Sequence, residues 1–298
     1  MGDKNILHML TPLKHVSPFD TNMALDAGYD AIIPYSSVEP GEVASLVQDA
    51  IFSRPPKLGP RTGFFFGGKD AFLALDMLTA AKKAMVPPFG ASLFADPAGS
   101  FTTAAAMVTC VENALCDKLS LSLNGVSVAV FGATGVVGFS SAVIAARQGA
   151  KVTLIGYDGT ERVRKAAEEA ARRFEVTLGF ADGSSQGKIR EILSSAQVVF
   201  CAGRAGVRIL DREQLQAAPK LLVAADVNAV PPSGVEGLKM DAKGEPIADS
   251  RALGVGPLTI GQLKSKTESG LFRQMIAAEK PVVFDFRHAF DLARELAK

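Results

Sequence analysis

Three glycines recur at every third position in a short segment that follows an apolar run. They are Gly132, Gly135 and Gly138, within GATGVVG. A glycine loop between a strand and a helix lets the backbone approach a pyrophosphate, and the helix N-terminus offers unpaired N–H groups. The spacing is looser than Gly-x-Gly-x-x-Gly, but the strand-loop-helix-strand context predicts a dinucleotide site. The predicted cofactor contacts in the loop are Gly132, Ala133, Thr134, Gly135, Val136, Val137 and Gly138.

The end of the next predicted strand carries residues that could distinguish NAD from NADP. Asp158 stands where a carboxylate accepts hydrogen bonds from the adenosine ribose, which favours NAD. Asp158 and Glu161 also have the spacing of a helix capping box, which is the structural alternative. Arg162, Arg164 and Lys165 follow directly and could receive a 2′-phosphate, so NADP remains open.

Later segments are predicted to follow strands at the carboxyl edge of the same parallel sheet, where ligands bind in open α/β sheets. Small residues there would leave room for the nicotinamide ring, and polar ones would fix its orientation. A glycine-shaped loop before Pro257 presents a further helix N-terminus, suited to the carboxamide or to an anion. The predicted cofactor contacts in these segments are Ala202, Gly203, Asp226, Asn228, Gly254 and Gly256.

A repeating strand-helix pattern is needed to position these residues, and the sequence predicts two such α/β units. From Val126 onward the segments VSVAVF, KVTLIG, QVVFCAG and KLLVAAD predict strands of a parallel, Rossmann-type sheet. Residues 1 to about 97 show the same alternation without a glycine fingerprint. Their first predicted helix has Ser17 as N-cap, Pro18 at its first position and Gly28 at its end. The tail predicts a strand and a closing helix.

Composition narrows the classes of function. The 298 residues include 32 Lys plus Arg and 31 Asp plus Glu, a balance that argues against nucleic-acid binding. No apolar run approaches the roughly 18 residues of a membrane span, and the amino terminus lacks the apolar core of a signal peptide. We therefore expect no membrane association and a cytoplasmic location. Three cysteines at irregular spacing predict neither a disulfide framework nor a metal site.

Several longer segments resemble a known family. GVGPLTIGQL resembles the glycine-rich segment of methylene-tetrahydrofolate dehydrogenases. HMLTPLKHVSPFD, ADPAGSFTTAAAMV and LLVAADVNAVPP, together with the glycine loop, resemble the NAD(P)-dependent methylene-tetrahydromethanopterin dehydrogenases of methylotrophic bacteria. The resemblance runs along essentially the whole chain, and its most distinctive block is DPAGSFTT.

The resemblance implies a two-domain α/β fold: an amino-terminal α/β substrate domain, a Rossmann-type parallel sheet domain and a closing carboxyl-terminal helix that returns to the first. On that basis we expect a pterin domain over 1–118, a dinucleotide domain over 119–266 and a returning segment over 267–298. The resemblance also implies NAD or NADP as cofactor, tetrahydromethanopterin as one-carbon carrier, and a homo-oligomer, with a trimer as one expected size.

Two details refine this expectation. In the family, a basic residue directly after the second strand of the cofactor domain accompanies strict NADP use, whereas Tyr157-Asp158 resembles members that accept NAD. The Tyr-x-x-x-Lys pair of bifunctional folate enzymes is absent at all three tyrosines, so cyclohydrolase activity is not expected.

The implied reaction oxidises methylene- to methenyl-tetrahydromethanopterin by direct hydride transfer to NAD(P)+, within the one-carbon metabolism of formaldehyde oxidation. No proton needs to move, because the product cation is stabilised by its own nitrogens, so general acid–base groups are unnecessary. Catalysis would then depend on stacking the two rings within reach and on electrostatics that tolerate the forming cation.

Each candidate pterin contact in the first domain could instead have a role that does not involve the substrate. Asp20 could face the cation or the pterin amino group, or serve as a first-turn carboxylate beneath Ser17. Lys14 and His15 lie on the preceding loop, where solvent is the alternative. The full set of substrate-contacting candidates is Asp20, Lys14, His15, Ser100, Thr102, Thr103 and Lys264.

The three candidates that carry a hydroxyl follow the Asp96-Pro97 turn. Ser100, Thr102 and Thr103 could donate to the pterin or the nicotinamide, and ordinary N-capping of the long helix is their alternative. Lys264 belongs to the late glycine segment, and solvent exposure is its alternative.

Three other functions remain as rivals: a methylene-tetrahydrofolate dehydrogenase, a shikimate-type dehydrogenase with the same two-domain layout, and a non-catalytic dinucleotide-sensing protein. The second would need a Lys/Asp pair, which the sequence does not identify. The third would bind cofactor without reducing it.

Overall fold

The computed structural model describes residues 3–298, which form alternating strands and helices. The strands are β1 (Ile6–Leu10), β2 (Ala31–Tyr35), β3 (Thr62–Phe66), β4 (Ser92–Ala95), β5 (Ser127–Phe131), β6 (Lys151–Gly156), β7 (Gly179–Asp182), β8 (Val198–Cys201), β9 (Val223–Asp226), β10 (Lys243–Pro246), β11 (Leu253–Val255) and β12 (Val283–Phe284). The helices are α1 (Pro18–Ala27), α2 (Val43–Phe52), α3 (Ala71–Lys83), α4 (Ser100–Leu119), α5 (Val136–Arg147), α6 (Glu161–Phe174), α7 (Gln186–Leu193), α8 (Arg212–Gln216), α9 (Pro257–Ala277) and α10 (Phe286–Leu296).

These elements form two compact units. The amino-terminal unit comprises residues 3–102 and 265–296, and the central unit comprises 103–264 with the last two residues. The chain passes from one unit to the other inside the long helices α4 and α9. The domain limits expected from sequence, at 118 and 266, both lie within the same two helices.

The amino-terminal unit is built on a five-stranded parallel sheet in the order β12-β4-β3-β1-β2. β3 is buried along its whole length, as expected for a central strand covered on both faces. Phe65, Phe94 and Phe272 meet there with ring centroids 5.3 to 5.6 Å apart. The predicted first helix is confirmed, since the Ser17 side chain accepts from the Asp20 N–H and Gly28 closes α1 at φ 114°.

The tail belongs to this unit. β12 extends the sheet by parallel pairing with β4, with Val283 opposite Leu93. Phe286 at the start of α10 packs edge-to-face on Phe101, with centroids 5.2 Å apart. Between residues 3 and 298, none of the helices combines the length and apolar character that crossing a bilayer requires.

The central unit contains a seven-stranded sheet in the order β10-β11-β9-β8-β5-β6-β7. Only β10, at one edge, is antiparallel. The six parallel strands follow the doubly wound order, and β5 has β6 on one side and β8 on the other. The chain reverses its direction of progress through the sheet at this point, where open α/β sheets bind ligands. The glycine segment predicted to hold a dinucleotide lies directly after β5.

Candidate functional site

The glycine loop after β5 has a backbone shape that only glycine supports at its first position. Gly132 has φ +72°, and a Cβ atom there would lie 2.1 Å from the backbone oxygen of Ala202. A Cβ on Gly138 would lie 2.4 Å from the oxygen of Gly132. The loop therefore runs directly against the chain that follows β8, and α5 packs closely on the loop.

The start of α5 is shaped to receive an anion. Gly135 is the N-cap at φ −78°, and it provides no side chain to satisfy the first N–H groups of the helix. Val136, Val137 and Gly138 form that first turn. Unpaired N–H groups and the positive end of the helix dipole favour a phosphate at such a position.

A cavity of about 710 Å³ opens beside this loop. Its size lies within the range of small-molecule sites. It is lined by the segments that follow four neighbouring parallel strands, β5, β6, β7 and β8. The lining residues are Phe131, Gly132, Ala133, Thr134, Gly135, Ile155, Gly156, Tyr157, Asp158, Val163, Gly183, Ser184, Ser185, Gln186, Ile189, Ala202, Gly203, Arg204, Val207, Arg208 and Ile209.

Asp158 lies in this lining after β6, as a ribose-binding carboxylate should. Its Oδ2 accepts from Arg162 Nη1 at 3.2 Å, and the same nitrogen donates to the Tyr157 hydroxyl at 3.1 Å. Arg162 Nη2 donates to Thr134 Oγ1 at 3.1 Å. Hydrogen bonds to Asp158 and Tyr157 raise the pKa of Arg162, so this guanidinium is permanently charged.

The capping-box alternative for Asp158 is wrong. α6 begins at Glu161, and its N-cap is Thr160, two residues beyond Asp158. Glu161 instead accepts from Arg164 and pairs with Lys165. None of the three predicted basic residues lines the cavity, but the Arg162 guanidinium donates to three residues that do, Thr134, Tyr157 and Asp158.

Two polar residues after β9 hold a loop. Asp226, 1% exposed, accepts from the backbone N–H groups of Asn228, Gly234 and Val235 at 2.9, 2.7 and 3.2 Å. Burial raises the pKa of the Asp226 carboxyl, and the three N–H donors oppose that shift. The Asn228 amide accepts from Gly206 and Val230 and donates to the Pro232 oxygen. Their side chains therefore fix the loop, and direct cofactor contact by either residue stays a prediction.

The late glycines pack closely within their own segment, Gly256 against backbone and Gly254 against a side chain. A Cβ on Gly256 would lie 2.3 Å from the Lys239 oxygen, and one on Gly254 would lie 2.3 Å from Leu238 Cδ1. Neither glycine is among the cavity-lining residues. Ala202 and Gly203, in contrast, do line the cavity. A cofactor contact at Gly254 or Gly256 remains a prediction.

The substrate-contacting candidates near α1 differ in exposure. Lys14 and His15 are exposed on the loop after β1. Asp20 is 2% exposed in the first turn of α1, where its N–H donates to Ser17 Oγ at 3.2 Å. The arrangement matches the helix-start alternative, and a role toward the pterin is untested for all three.

One of the hydroxyl candidates, Thr102, bonds to a buried carboxylate that the sequence did not identify as a cap. Asp96 Oδ1 accepts from the N–H groups of Phe101 and Thr102 at 2.7 and 3.2 Å. The Thr102 hydroxyl, fully buried, donates to Asp96 Oδ2 at 2.6 Å. Asp96 therefore reaches across the intervening turn and satisfies two of the first N–H groups of α4. Ser100 and Thr103 remain partly exposed.

Lys264 lies on α9 in the central unit and is 8% exposed, so the solvent-exposed alternative for it is wrong. Within residues 3–298, His, Cys, Asp and Glu side chains form no group of three or more that could hold a metal ion.

Several cavity residues were not among the predicted contacts. Ser184, Ser185 and Gln186 follow β7, a strand of four partly exposed residues without the apolar run that predicts a strand. Arg204 and Arg208 follow β8 within CAGRAGVR, where their position beyond a predicted strand was the available signal. Arg208 pairs with Glu236 at 3.1 Å.

Comparison with known proteins places this geometry in a family. Residues 18–98 match the model for the amino-terminal domain of methylene-tetrahydromethanopterin dehydrogenase. Two solved structures share the fold at low identity. They are shikimate 5-dehydrogenase from Listeria monocytogenes (TM-score 0.52, 14% identity, 100% of this chain and 98% of that one) and NAD-dependent malic enzyme from Thermotoga maritima (TM-score 0.58, 12%, 97% and 84%).

Two curated relatives come from Methylorubrum extorquens. Bifunctional protein MdtA is 33% identical over 281 residues, covering 94% of this chain and 95% of the relative. NAD(P)-dependent methylenetetrahydromethanopterin dehydrogenase is 51% identical over 294 residues, covering 99% of each chain. This level of identity along the full length confirms the resemblance in the sequence. The chain belongs to the family of NAD(P)-dependent methylene-tetrahydromethanopterin dehydrogenases.

Proposed function

We propose that this protein oxidises methylene-tetrahydromethanopterin to methenyl-tetrahydromethanopterin with NAD+ or NADP+, in the one-carbon metabolism of formaldehyde oxidation. The observation that carries the proposal is 51% identity over 99% of the chain to an enzyme of that name. The central unit supports it independently, because a glycine loop, a helix N-terminus and a ribose-end carboxylate line one cavity at the point where strand order reverses.

The residues of the cavity fit a dinucleotide. Gly135 and the first turn of α5 would receive the pyrophosphate, and Asp158 would accept from the adenosine ribose. Ala202 and Gly203, small residues after β8, leave space for a flat ring against the backbone. When bound, the nicotinamide ring supplies a hydride acceptor.

The chain's own part in this reaction is positioning. Among the residues that the structure describes, the cavity lining contains one carboxylate, Asp158, and no histidine. Hydride transfer from the methylene carbon leaves an amidinium that its own nitrogens stabilise, so no side chain has to move a proton. The protein orients the two rings and excludes water.

We assign the pterin to residues 1–118, the dinucleotide to 119–266 and support of the pterin domain to 267–298. Within this assignment Asp20, Lys14, His15, Ser100, Thr102, Thr103 and Lys264 are the candidate substrate contacts. We also propose a cytoplasmic homo-oligomer, with a trimer as the expected size. Light scattering on the purified protein measures the oligomer directly.

The test is a rate measurement with purified protein. Methylene-tetrahydromethanopterin and NAD+ or NADP+ are mixed, and formation of reduced nicotinamide is followed by absorbance. We expect reduction with this pterin and a much lower rate with methylene-tetrahydrofolate. Faster turnover of the folate would reassign the substrate, and cofactor binding without reduction would indicate a sensor.

A second measurement examines the absence of acid–base groups. With deuterium on the methylene carbon, single-turnover reduction of the nicotinamide should show a primary isotope effect, which identifies hydride transfer as the measured step. The rate of that step should not change with pH. A bell-shaped pH dependence that one substitution removes would contradict the proposed mechanism.

A further inference from the structure

The guanidinium of Arg162 joins three residues from two segments of the cavity. It donates to Thr134 on the glycine loop and to Tyr157 and Asp158 after β6, at 3.1 to 3.2 Å. Its carbon lies 5.6 Å from the centre of the Tyr157 ring. Arg162 thus spans the space between the predicted pyrophosphate position and the predicted ribose carboxylate.

The ion pair within this arrangement is easily broken. The Arg162 and Asp158 side chains are 52% and 41% exposed, and exposed ion pairs contribute little to stability. A dianionic phosphate is a stronger partner for this guanidinium than Asp158, because it carries a larger negative charge and can accept two charge-assisted hydrogen bonds where Asp158 accepts one.

NAD and NADP favour side chains of opposite charge beside the 2′ position of the adenosine ribose. The 2′-hydroxyl of NAD donates to a carboxylate, which suits Asp158. The 2′-phosphate of NADP is repelled by a carboxylate and needs a cation. Among the neighbouring cations of α6, Arg164 is held by Glu161 and Glu168, and Lys165 by Glu161. Arg204 and Arg208 follow β8, on the other side of β5 from Asp158.

We propose that Arg162 is an exchangeable counter-ion that lets this one site accept both dinucleotides. With a 2′-hydroxyl bound, its guanidinium stays on Asp158 and the carboxylate accepts from the ribose. With a 2′-phosphate bound, the guanidinium leaves Asp158 and pairs with the phosphate, while its bond to Thr134 keeps it beside the glycine loop. The inference rests on the proposed function in one respect, that this cavity binds a nicotinamide dinucleotide.

The test uses two fragments that differ at the 2′ position, AMP and 2′,5′-ADP, titrated by calorimetry into the full-length protein. Arg162→Gln should weaken 2′,5′-ADP binding by about 10- to 100-fold, the range for a lost charge-assisted contact, and AMP binding by less than about threefold. Asp158→Asn should weaken AMP and strengthen 2′,5′-ADP. The matched control is Arg172→Gln, which removes an exposed, Glu169-paired arginine from the far end of α6 and should change neither affinity.

The double variant separates exchange from simple charge repulsion. If 2′,5′-ADP must break the Asp158–Arg162 pair, the gain from Asp158→Asn should shrink in the Arg162→Gln background. An equal gain in both backgrounds would overturn the exchange, as would an equal loss of both fragments in Arg162→Gln. Thermal melting checks that each variant is folded.

The outcomes also separate this inference from the proposed function. If neither fragment bound the wild-type protein, the dinucleotide site would be wrong and the exchange with it. If both fragments bound as expected but no pterin were oxidised, the proposed reaction would fail and the exchange would stand.

Discussion

The two parallel sheets of this chain treat the carboxyl ends of their strands in different ways. In the central unit the ends of β5, β6, β7 and β8 surround a cavity, and polar side chains such as Thr134 and Asp158 are exposed along it. In the amino-terminal unit the carboxylates that follow strands bond internally, as Asp226 does at the end of β9 outside the cavity. Asp96 after β4 binds the start of α4, and Asp285 after β12 binds Arg287 and the start of α10.

The difference shows that a distinctive sequence block can have a structural reason of its own. GATGVVG and DPAGSFTT are both unusual, but the first shapes backbone around an opening and the second shapes the start of a helix. In the second block Ala98 and Gly99 have φ 55° and 62°, two consecutive residues in the left-handed region. Such a conformation is strained at Ala98 and persists only where its surroundings fix it, and Asp96 is positioned to do so.

Of the substitutions in the two blocks, the one with the largest expected effect is at Gly132, in GATGVVG. Gly132→Ala places a Cβ 2.1 Å from a backbone oxygen and a non-glycine residue at φ +72°. The loop and the chain after β8 must move apart, and we expect a loss of about 4 kcal/mol in the free energy of unfolding, with dinucleotide binding abolished. Urea denaturation and calorimetric titration with NAD+ measure the two effects.

Gly135→Ala is the matched control in the same loop. Gly135 has φ −78° and the nearest atom to its Cβ would be 3.3 Å away, so the fold should tolerate alanine with a loss under about 1 kcal/mol. The added methyl group faces the predicted pyrophosphate, so binding should still fall at least about tenfold. Normal binding in Gly135→Ala would show that the phosphate lies elsewhere.

The second-largest effect is expected at Asp96, the carboxylate in DPAGSFTT, and it measures how far that carboxylate stabilises the fold. Asp96→Ala removes an acceptor from two buried N–H groups and from the Thr102 hydroxyl. Leaving these donors unsatisfied should lower the free energy of unfolding by about 3 kcal/mol. Asp96→Asn, which keeps one oxygen, should recover part of that loss in the same denaturation assay. A variant as stable as wild type that fails to turn over would make Asp96 a substrate group instead.

The backbone shape of the glycine loop and the two ends of α1 could be predicted from the sequence. The glycine loop was predictable because glycine at a fixed spacing constrains the backbone itself, and Ser17, Pro18 and Gly28 similarly marked both ends of α1. The parallel direction of the central strands could be predicted from the strand-helix alternation, but their order could not, since the same alternation builds doubly wound sheets of more than one order. β7 was missed because its four residues lack an apolar pattern.

Side-chain partners were less predictable than backbone shape. The sequence left open whether Thr102 or a neighbouring hydroxyl caps α4, and it did not identify Asp96, four positions before the helix, as the cap. It proposed Asp226 as a cofactor group, whereas three backbone donors from a loop up to nine residues away converge on that carboxylate. Such convergence depends on how a loop folds back, which no local spacing encodes.

A third prediction separates the units by acid sensitivity. Burial, with a smaller contribution from Arg54, lowers the pKa of His8 on β1 from 6.5 to about 4. Between these values the unfolded chain binds a proton that the folded chain excludes, so stability is complete above about pH 6.5 and falls as pH decreases toward 4. Allowing for the partial exposure of His8, we expect a loss of about 2 kcal/mol across this interval.

Hydrogen exchange reports this loss unit by unit. Amides of β1 and β3 should lose protection as pH falls, after correction for intrinsic exchange, more than amides of β5 and β8. His8→Phe should remove this difference between the two units, because phenylalanine cannot titrate. Phenylalanine also keeps a ring against Phe64, whose ring centroid lies 5.0 Å from that of His8. Equal pH dependence in His8→Phe and wild type would assign the effect to other groups.

The smallest expected effect concerns the Thr102 hydroxyl, which was predicted as a substrate contact and proves to be fully buried against Asp96 at 2.6 Å. Thr102→Val preserves the shape of the side chain and deletes one hydrogen bond, so the free energy of unfolding should fall by about 1 kcal/mol. If the hydroxyl serves only Asp96, turnover with saturating pterin and NAD+ should match wild type. A turnover rate reduced more than about tenfold at unchanged stability would place the hydroxyl against the substrate, and the two blocks would then both be ligand sites.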